Sequence, residues 1–370
     1  MTAAFPFGLE EEYFLVDAGT KLLACNVPPA FFEAAKRATK GRISQEFLQP
    51  QIEVKSSPQV NMRDACRELR ELRRIVSAVA AQHGYAILAA GTHPSALWPG
   101  AQPTPKKRYD VVMQDLQMIG RRDLLCGMHV HVELPDVNER VDVMYRMLPY
   151  LPLLLALSTS SPFWQRRRTG LKGYRLAAYD ELPRSGVPEL FRTREEFDAY
   201  VSALVRAGII ADSSFIWWAI RPSLVNPTLE LRVPDSCTLV DDTIAIAALY
   251  RTLVRHLYLD RSCNAGLTAV QRALVIENKW QAQRHGVNGT FATENGPVTV
   301  GDMIERTIEE TAEDAAALNC TAEIGRCRAI VGSGTSADAQ LAVFEAHGAG
   351  KSREAALRAV AEWISVATLQ

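Results

Sequence analysis

Three consecutive carboxylates sit inside an otherwise apolar run, Phe7-Gly8-Leu9-Glu10-Glu11-Glu12-Tyr13-Phe14-Leu15-Val16, which has the length and composition of a buried β-strand. Side chains alternate across a strand, so Glu10 and Glu12 share one face while Leu9, Glu11 and Tyr13 share the other. Neighbouring carboxylates repel unless a cation lies between them, and the chemistry open to such a pair is the binding of a divalent ion. An exposed edge strand with solvated glutamates would need no such ion.

Three further segments repeat the pattern. In Gln51-Ile52-Glu53-Val54-Lys55, Ile52 and Val54 form the apolar face and leave Glu53 on the polar one, between Gln51 and Lys55. In Gly127-Met128-His129-Val130-His131-Val132-Glu133-Leu134, the residues His129, His131 and Glu133 lie opposite Met128, Val130, Val132 and Leu134. In Thr228-Leu229-Glu230-Leu231-Arg232-Val233, Glu230 and Arg232 lie opposite three aliphatic side chains. Four such strands predict an antiparallel sheet with one side packed on helices and the other lining a cavity of carboxylates, imidazoles and at least one guanidinium.

The helices needed to cover the apolar side are present in the periodicity. Asn61 to Gln82 has Leu69, Leu72, Ile75, Val76 and Val79 at helical spacing, with Asn61 as N-cap and Gly84 beyond its end. A strand follows over Tyr85 to Ala90, ending in Gly91-Thr92-His93-Pro94, and Thr193-Arg194-Glu195-Glu196 has the spacing of a capping box. Further helices are predicted over Asp241–Leu259, Thr268–His285, Gly301–Leu318, Ala337–Ala346 and Arg353–Val366. With strands early, helices late, no internal repeat and no compositional break, the pattern is that of a single α+β unit.

Composition sets the class. A chain of 370 residues with 48% hydrophobic content can bury a large core, and length alone permits one large domain or two or three smaller ones. A net charge of -1 gives no sign of a nucleic-acid or membrane surface, and the short basic runs Lys106-Lys107-Arg108 and Arg166-Arg167-Arg168 read as solvated loops. No basic region followed by an apolar one opens the chain, and the apolar stretch around Leu148 to Leu157 is interrupted by Pro149 and Pro152, so neither a signal peptide nor a membrane span is expected. Seven cysteines without a Cys-x-x-Cys pair argue against a disulfide framework and a zinc ribbon, and suit a reducing cytoplasm.

Two glycine motifs mimic nucleotide loops. Gly348-Ala349-Gly350-Lys351-Ser352 resembles the end of a P-loop, yet the position of its opening glycine is Glu345 and no strand precedes it; Gly348 to Gly350 is better read as a helix-breaking turn. Gly332-Ser333-Gly334-Thr335-Ser336-Ala337 follows Ile330-Val331, but too little chain remains for a dinucleotide-binding domain.

The segments Gly8-Leu9-Glu10-Glu11-Glu12, Gly91-Thr92-His93-Pro94, Gly127 to Val132, Arg221-Pro222-Ser223 and Thr228 to Arg232 together resemble the type 2 glutamate-cysteine ligase family, also called carboxylate-amine ligases. The likeness runs from Phe7 through Glu277-Asn278-Lys279-Trp280 to the C-terminal helices. It implies a glutamine-synthetase-like α+β fold: a curved antiparallel β-sheet funnel lined by polar residues, with helices on its outer face, as one catalytic domain over residues 1–370. It also implies a homodimer that uses ATP and Mg²⁺ or Mn²⁺ to join an acid and an amine, both small molecules, through an acyl phosphate. Glutamate-cysteine ligase activity, forming γ-glutamylcysteine, is the specific activity implied.

By the same resemblance, Glu10, Glu12, Glu46, Glu53, His129 and Glu230 are metal ligands divided among two or three ions; an oxygen-rich set with one imidazole suits Mg²⁺ or Mn²⁺ better than a closed zinc site. Arg232, on the face of Glu230, is placed for a phosphate, and Arg221 or Arg175 for a substrate carboxylate. Lys279, on the helix carrying Glu277, Asn278 and Arg284, is a candidate for the nucleotide phosphates. His131 either orients His129 or a carboxylate, or itself binds metal. His93 reads as a loop hydrogen-bonder, Trp217-Trp218 as core packing, and Gly170 to Arg175 as a stretch that closes over substrate or is ordinary surface. Two other functions fit the residues: a metal-dependent hydrolase of an amide or phosphoester, and a metabolite-binding protein without turnover. The motifs leave open which residues would read cysteine over another amine.

Overall fold

The structure is a computed structural model that describes residues 4–348 and 352–370. Its centre is a seven-stranded sheet: β1 (Phe7–Asp17), β2 (Ile43–Gln45), β3 (Gln51–Lys55), β4 (Tyr85–Leu88), β5 (Met128–Glu133), β6 (Ile220–Pro222) and β7 (Thr228–Leu231). The strand order is β6-β7-β5-β1-β3-β2, β4 also pairs with β1, and every pairing is antiparallel. Expected strand alternation holds: Leu9, Tyr13, Ile52, Val54, Met128, Val130, Val132, Leu229 and Leu231 are buried in the core. Each such aliphatic side chain contributes about 1.5–3 kcal/mol over an exposed one. A register slip of one residue would turn this whole set toward the cavity, which is why the register is well determined.

Helices cover the apolar side. α1 (Met62–Gln82) is capped by Asn61, whose side chain accepts from the Arg63 amide, and packs on β1 and β4. α2 (Val240–Leu259) is buried on nearly every face, as a helix apolar all round must be, and lies between α1, β5 and the helix Thr321–Ser333. Among the described residues, the helical stretch Val137–Ser158 is the one long and apolar enough to cross a membrane, and 89% of its apolar window is buried inside the fold.

The Thr193 capping box forms with both halves, opening a helix over Arg194–Arg206, and Thr268 builds a second one with Gln271 at the head of α3 (Ala269–His285). Gly301–Leu318, expected as one helix, is two, Val300–Glu310 and α4 (Ala312–Ala317). The break is at Thr311, whose backbone leaves helical geometry at φ -104° and ψ 12°. Ile330 to Ser333 end a helix and no strand; Gly334, at φ 86°, is its left-handed stop, so the dinucleotide-like motif is a helix terminus. In the P-loop-like segment, Gly348 ends the helix Ser336–Gly348 and Ser352 caps α5 (Arg353–Ala367), while Ala349, Gly350 and Lys351 lie outside the described residues.

One charge lies on the core side of β1. Glu11 is fully buried and receives Arg73 of α1 at 2.9 and 2.6 Å, the Thr243 hydroxyl at 2.6 Å and the Tyr13 hydroxyl. The remaining donors of Arg73 reach the carbonyls of Thr238, Cys237 and Thr368, so all five are used. Ala89 donates to the Thr368 hydroxyl, tying the end of α5 to the same spot.

Candidate functional site

The polar face of the sheet forms the floor of a cavity of about 480 Å³. Six acidic groups (Glu10, Glu12, Glu46, Glu53, Asp123, Glu230), six basic ones (Lys55, Lys106, Arg108, Arg175, Arg221, Arg232) and two imidazoles (His129, His131) line it. Strand register explains much of this: Glu10 stands between His129 on β5 and Lys55 on β3, Glu12 opposite Glu53, and Glu230 between His131 and Arg221.

The charges balance in number but not in pairs. Glu230 accepts Arg221 at 2.8 and 3.3 Å and is ion-paired with Arg232; Lys55 reaches Glu10 and Glu53, each at 2.9 Å. Among the described residues, Glu12, Glu46 and Asp123 have no lysine or arginine within ion-pair reach, and Lys106, Arg108 and Arg175 have no carboxylate. Glu12 instead accepts the Gly127 amide at 2.5 Å and stands 3.9 Å from His129. Arg175 donates to the Pro234 carbonyl at 2.9 Å and runs beneath Gly127, where a Cβ would lie 2.1 Å from its Nη2. Only glycine allows that approach.

Burial works against ionisation everywhere in the cavity, and the neighbours decide the outcome. At Glu10 burial is overcome by His129 and His131, at Glu230 by Arg232 and Arg221, and both carboxyls are held well below the usual range. Burial and the charge of Glu12 push Glu46 up to about 8 and Asp123 up to about 7; burial, Glu46 and Glu10 push Glu53 up. Burial and Arg232 hold His129 down, which favours the neutral imidazole that a metal requires.

Two groups of donors have atoms within 4.8 Å of one another and share His129: Glu10, His129 and Glu230, and Glu12, Glu53 and His129. The buried Nε2 atoms of His129 and His131 have no hydrogen-bond partner. Carboxylates in excess on one imidazole, with orphaned nitrogen aimed among them, fit a divalent cation with oxygen preference. His131 is fixed through Nδ1 by the Thr228 hydroxyl at 2.9 Å, and its Nε2 is 3.6 Å from Glu10.

The site residues named from the sequence do not all converge. Glu10, Glu12, Glu46, Glu53, His129, Glu230, Arg175, Arg221 and Arg232 line the cavity together. Lys279 does not: α3 carries it to an ion pair with Asp180, away from the lining. His93 is buried in its loop, 3.0 Å from the Lys21 carbonyl and held down to about 4 by burial. Gly170 to Arg175 is tied to α3, where the Gln283 carbonyl accepts the amides of Lys172 and Gly173 at 2.7 and 2.9 Å. The paired tryptophans divide as alternation requires, Trp218 stacking on Tyr200 in the core and Trp217 facing the cavity.

Four lining residues carry more than the sequence analysis gave them. Lys106 and Arg108, read as solvated loop, stand exposed at the rim, where the helix Lys107–Leu116 begins. Asp123 and Tyr179 were not singled out; a carboxylate directly ahead of the apolar Leu124-Leu125-Cys126 was the available signal for Asp123.

Known proteins resemble this chain over nearly its whole length. The profile of glutamate-cysteine ligase family 2 matches residues 6–361. A protein named "Putative glutamate--cysteine ligase 2" from Bradyrhizobium sp. (strain ORS 278) is 53% identical over 365 residues, 99% of this chain and 88% of that one. Its namesake from Rhodospirillum rubrum is 43% identical over 373 residues, covering 99% and 96%. Among solved structures, glutamate--cysteine ligase from Francisella tularensis in complex with AMP superposes with a TM-score of 0.71 at 14% identity, over 99% of this chain and 89% of that one. A bifunctional glutathione synthetase from Pasteurella multocida also gives 0.71 at 15% identity, over 98% of this chain and 52% of that one. These likenesses give the hydrolase alternative no support.

Proposed function

Because the chain belongs to glutamate-cysteine ligase family 2, we propose that it is an ATP-dependent carboxylate-amine ligase that forms γ-glutamylcysteine from glutamate and cysteine. The observation that carries the reading is the mismatch of charge in the cavity: among the described residues, three carboxylates have no lysine or arginine within ion-pair reach and three cations have no carboxylate there. ATP with divalent metal, and an acid substrate, supply the missing partner to each set.

Joining a carboxylate to an amine is uphill in water. The γ-phosphoryl group of ATP is first transferred to the γ-carboxylate of glutamate, releasing ADP; the amine of cysteine then attacks the acyl carbon, phosphate departs and an amide bond remains. Catalysis of such transfer rests on positioning and on neutralising phosphate oxygens. Glu10, Glu12, Glu53, His129 and Glu230 would hold Mg²⁺ or Mn²⁺, with Glu46 beside them, and the metal supplies charge neutralisation at the phosphates.

Arg232 lies next to Glu230 and donates to the Tyr179 hydroxyl at 3.3 Å, with its buried Nε left free for a phosphoryl oxygen. Arg175 also has a free buried Nε and is assigned the substrate carboxylate. The fork of Arg221 is committed to Glu230 and to the Ser214 and Ile216 carbonyls, so its part is to position Glu230. Lys106 and Arg108 at the rim attract the anionic substrates.

The reading takes residues 1–370 as one catalytic unit, supported by the Arg73 bridge from β1 to the end of α5, and extends to a cytoplasmic homodimer, supported by seven unpaired cysteines for the compartment and by the family likeness for the dimer. Phosphate release from ATP by the purified protein, with Mg²⁺ and then Mn²⁺ across a matrix of acids and amines, tests it. Release that requires glutamate and cysteine, with product of the condensed mass, is expected. Release with another pair overturns the substrates; no release with any pair overturns the ligase.

A further inference from the structure

A small recess opens from the cavity between two short helices. Asp123, Leu125 and Leu182 line the cavity and the recess alike, and Ile119 and Ala178 complete its walls. Ile119 lies on the helix Met118–Arg121 and Ala178 on the helix Tyr174–Tyr179. Leu125 and Leu182 are buried, while Ile119 and Ala178 are half-buried and pack against the core. At the outer end Arg122 and Glu181, 2.9 Å apart, neutralise each other. The recess measures about 10 Å³, which is room for one group the size of a water molecule.

Its position ties it to the substrates. Arg175, to which the substrate carboxylate is assigned, precedes Ala178 by three residues on one helix, so the two are neighbours on its surface. Asp123 stands at the neck and, among the described residues, has no lysine or arginine within ion-pair reach. An amino acid whose ammonium group meets Asp123 turns its side chain toward the four aliphatic walls.

Resting on the ligase reading, we propose that Ile119, Leu125, Ala178 and Leu182 read the side chain of the amine substrate. The recess admits a neutral side chain that ends in a single thiol- or methyl-sized group, and turns away longer, branched and charged ones. Aliphatic walls offer a charged tip no partner, because Arg122 and Glu181 are already paired, and an unpaired charge is strongly disfavoured in such a place. A further methylene fits only if a wall moves, and the walls are held. The amides of Arg122 and Asp123 donate to the Met118 and Gly120 carbonyls, each at 3.2 Å, and the amide of Leu182 donates to the Tyr179 carbonyl at 3.0 Å. Glycine leaves the recess empty and gains none of its contacts. Cysteine meets both limits, of size and of charge.

The experiment is a comparison of kcat/KM for glycine, cysteine, homocysteine and aspartate as amines, with ATP, Mg²⁺ and an acid that supports turnover, in the wild type and two variants. Cysteine is expected to lead homocysteine, one methylene longer, by roughly tenfold or more, and aspartate by more still. Leu182→Ala, which lengthens the recess, should bring the ratio of cysteine to homocysteine to about one. Ala178→Val, which fills it, should lower the ratio of cysteine to glycine by roughly tenfold, chiefly through KM. A purely structural loss lowers every amine alike and moves neither ratio. Ratios that both variants leave in place, or a preferred amine with a longer or charged side chain, overturn the inference while the ligase stands. No phosphate release with any pair overturns the ligase and the role of the recess together. Should either variant fail to fold, Ile119→Ala, which opens the facing wall, carries the same expectation as Leu182→Ala, and the wild-type ranking decides beside it.

Discussion

The two faces of β1 solve the same problem in opposite ways. Glu11 looks into the core and meets a dedicated cation, with every donor of Arg73 placed and the carboxylate receiving Arg73, Thr243 and Tyr13. Glu10 and Glu12, one residue to either side, look into the cavity and share Lys55 and His129 with Glu53 and Glu230. On the first face folding completes the electrostatics; on the second a ligand must. A buried charge with all its partners is a structural part, whereas a cluster short of partners is a binding site in waiting.

Removing one partner on the core face should have the largest effect on stability. Arg73→Leu leaves Glu11 buried with two hydroxyl donors and no cation, and is expected to cost about 3–5 kcal/mol, read as a shift in urea midpoint. A double change, Glu11→Leu with Arg73→Met, should recover most of that loss; if it is no better than the single change, the pair is not the self-contained unit described.

Glu10→Gln in the cavity should do the reverse, lowering metal-dependent ATP turnover by roughly 10²–10³-fold while leaving the urea midpoint of the metal-free protein unchanged or raised. A midpoint that falls as far as that of Arg73→Leu would erase the distinction between the faces.

The pH dependence follows from the raised carboxyls. Glu46 and Asp123 bind protons up to about 8 and 7 in the folded protein but release them at ordinary carboxyl values when unfolded. Between those limits the unfolded chain binds fewer protons, so metal-free stability falls as pH rises from about 4.5 to 8. Scanning calorimetry in EDTA should show the decline, and Mg²⁺ should shrink it by stabilising the ionised forms. The smallest effect belongs to the rim: Lys106→Ala should raise the KM for the anionic substrates severalfold, with kcat and the thermal midpoint little changed.

How much of this could be read from the residues depends on the range of the signal. Period-two alternation is local, and it disclosed which side of each strand faces the cavity for Glu10, Glu12, Glu53, His129, His131, Glu230 and Arg232. The partner of Glu11 is 62 positions away, and its trace is subtle: Arg73 falls on the apolar stripe of α1 between Leu69 and Val76. Asp123 and the rim cations have no periodic context, since they face the cavity only because the loop at Asp123 and the start of the helix Lys107–Leu116 fold over it. Lys279 shows the converse, a cation on a suitable helix whose tertiary neighbour, Asp180, lies outside the cavity.

The Arg73 bond to the Thr368 carbonyl carries a consequence for synthesis. The guanidinium that neutralises the first strand draws one of its acceptors from the end of the last helix. A chain emerging from the ribosome in order can pair Glu11 with Arg73 early, but their shell stays open to water until residue 368 has left the exit tunnel. Closure of the core beneath the cavity thus waits for a residue 295 positions downstream of Arg73, and the cavity's floor becomes rigid only once α5 has packed.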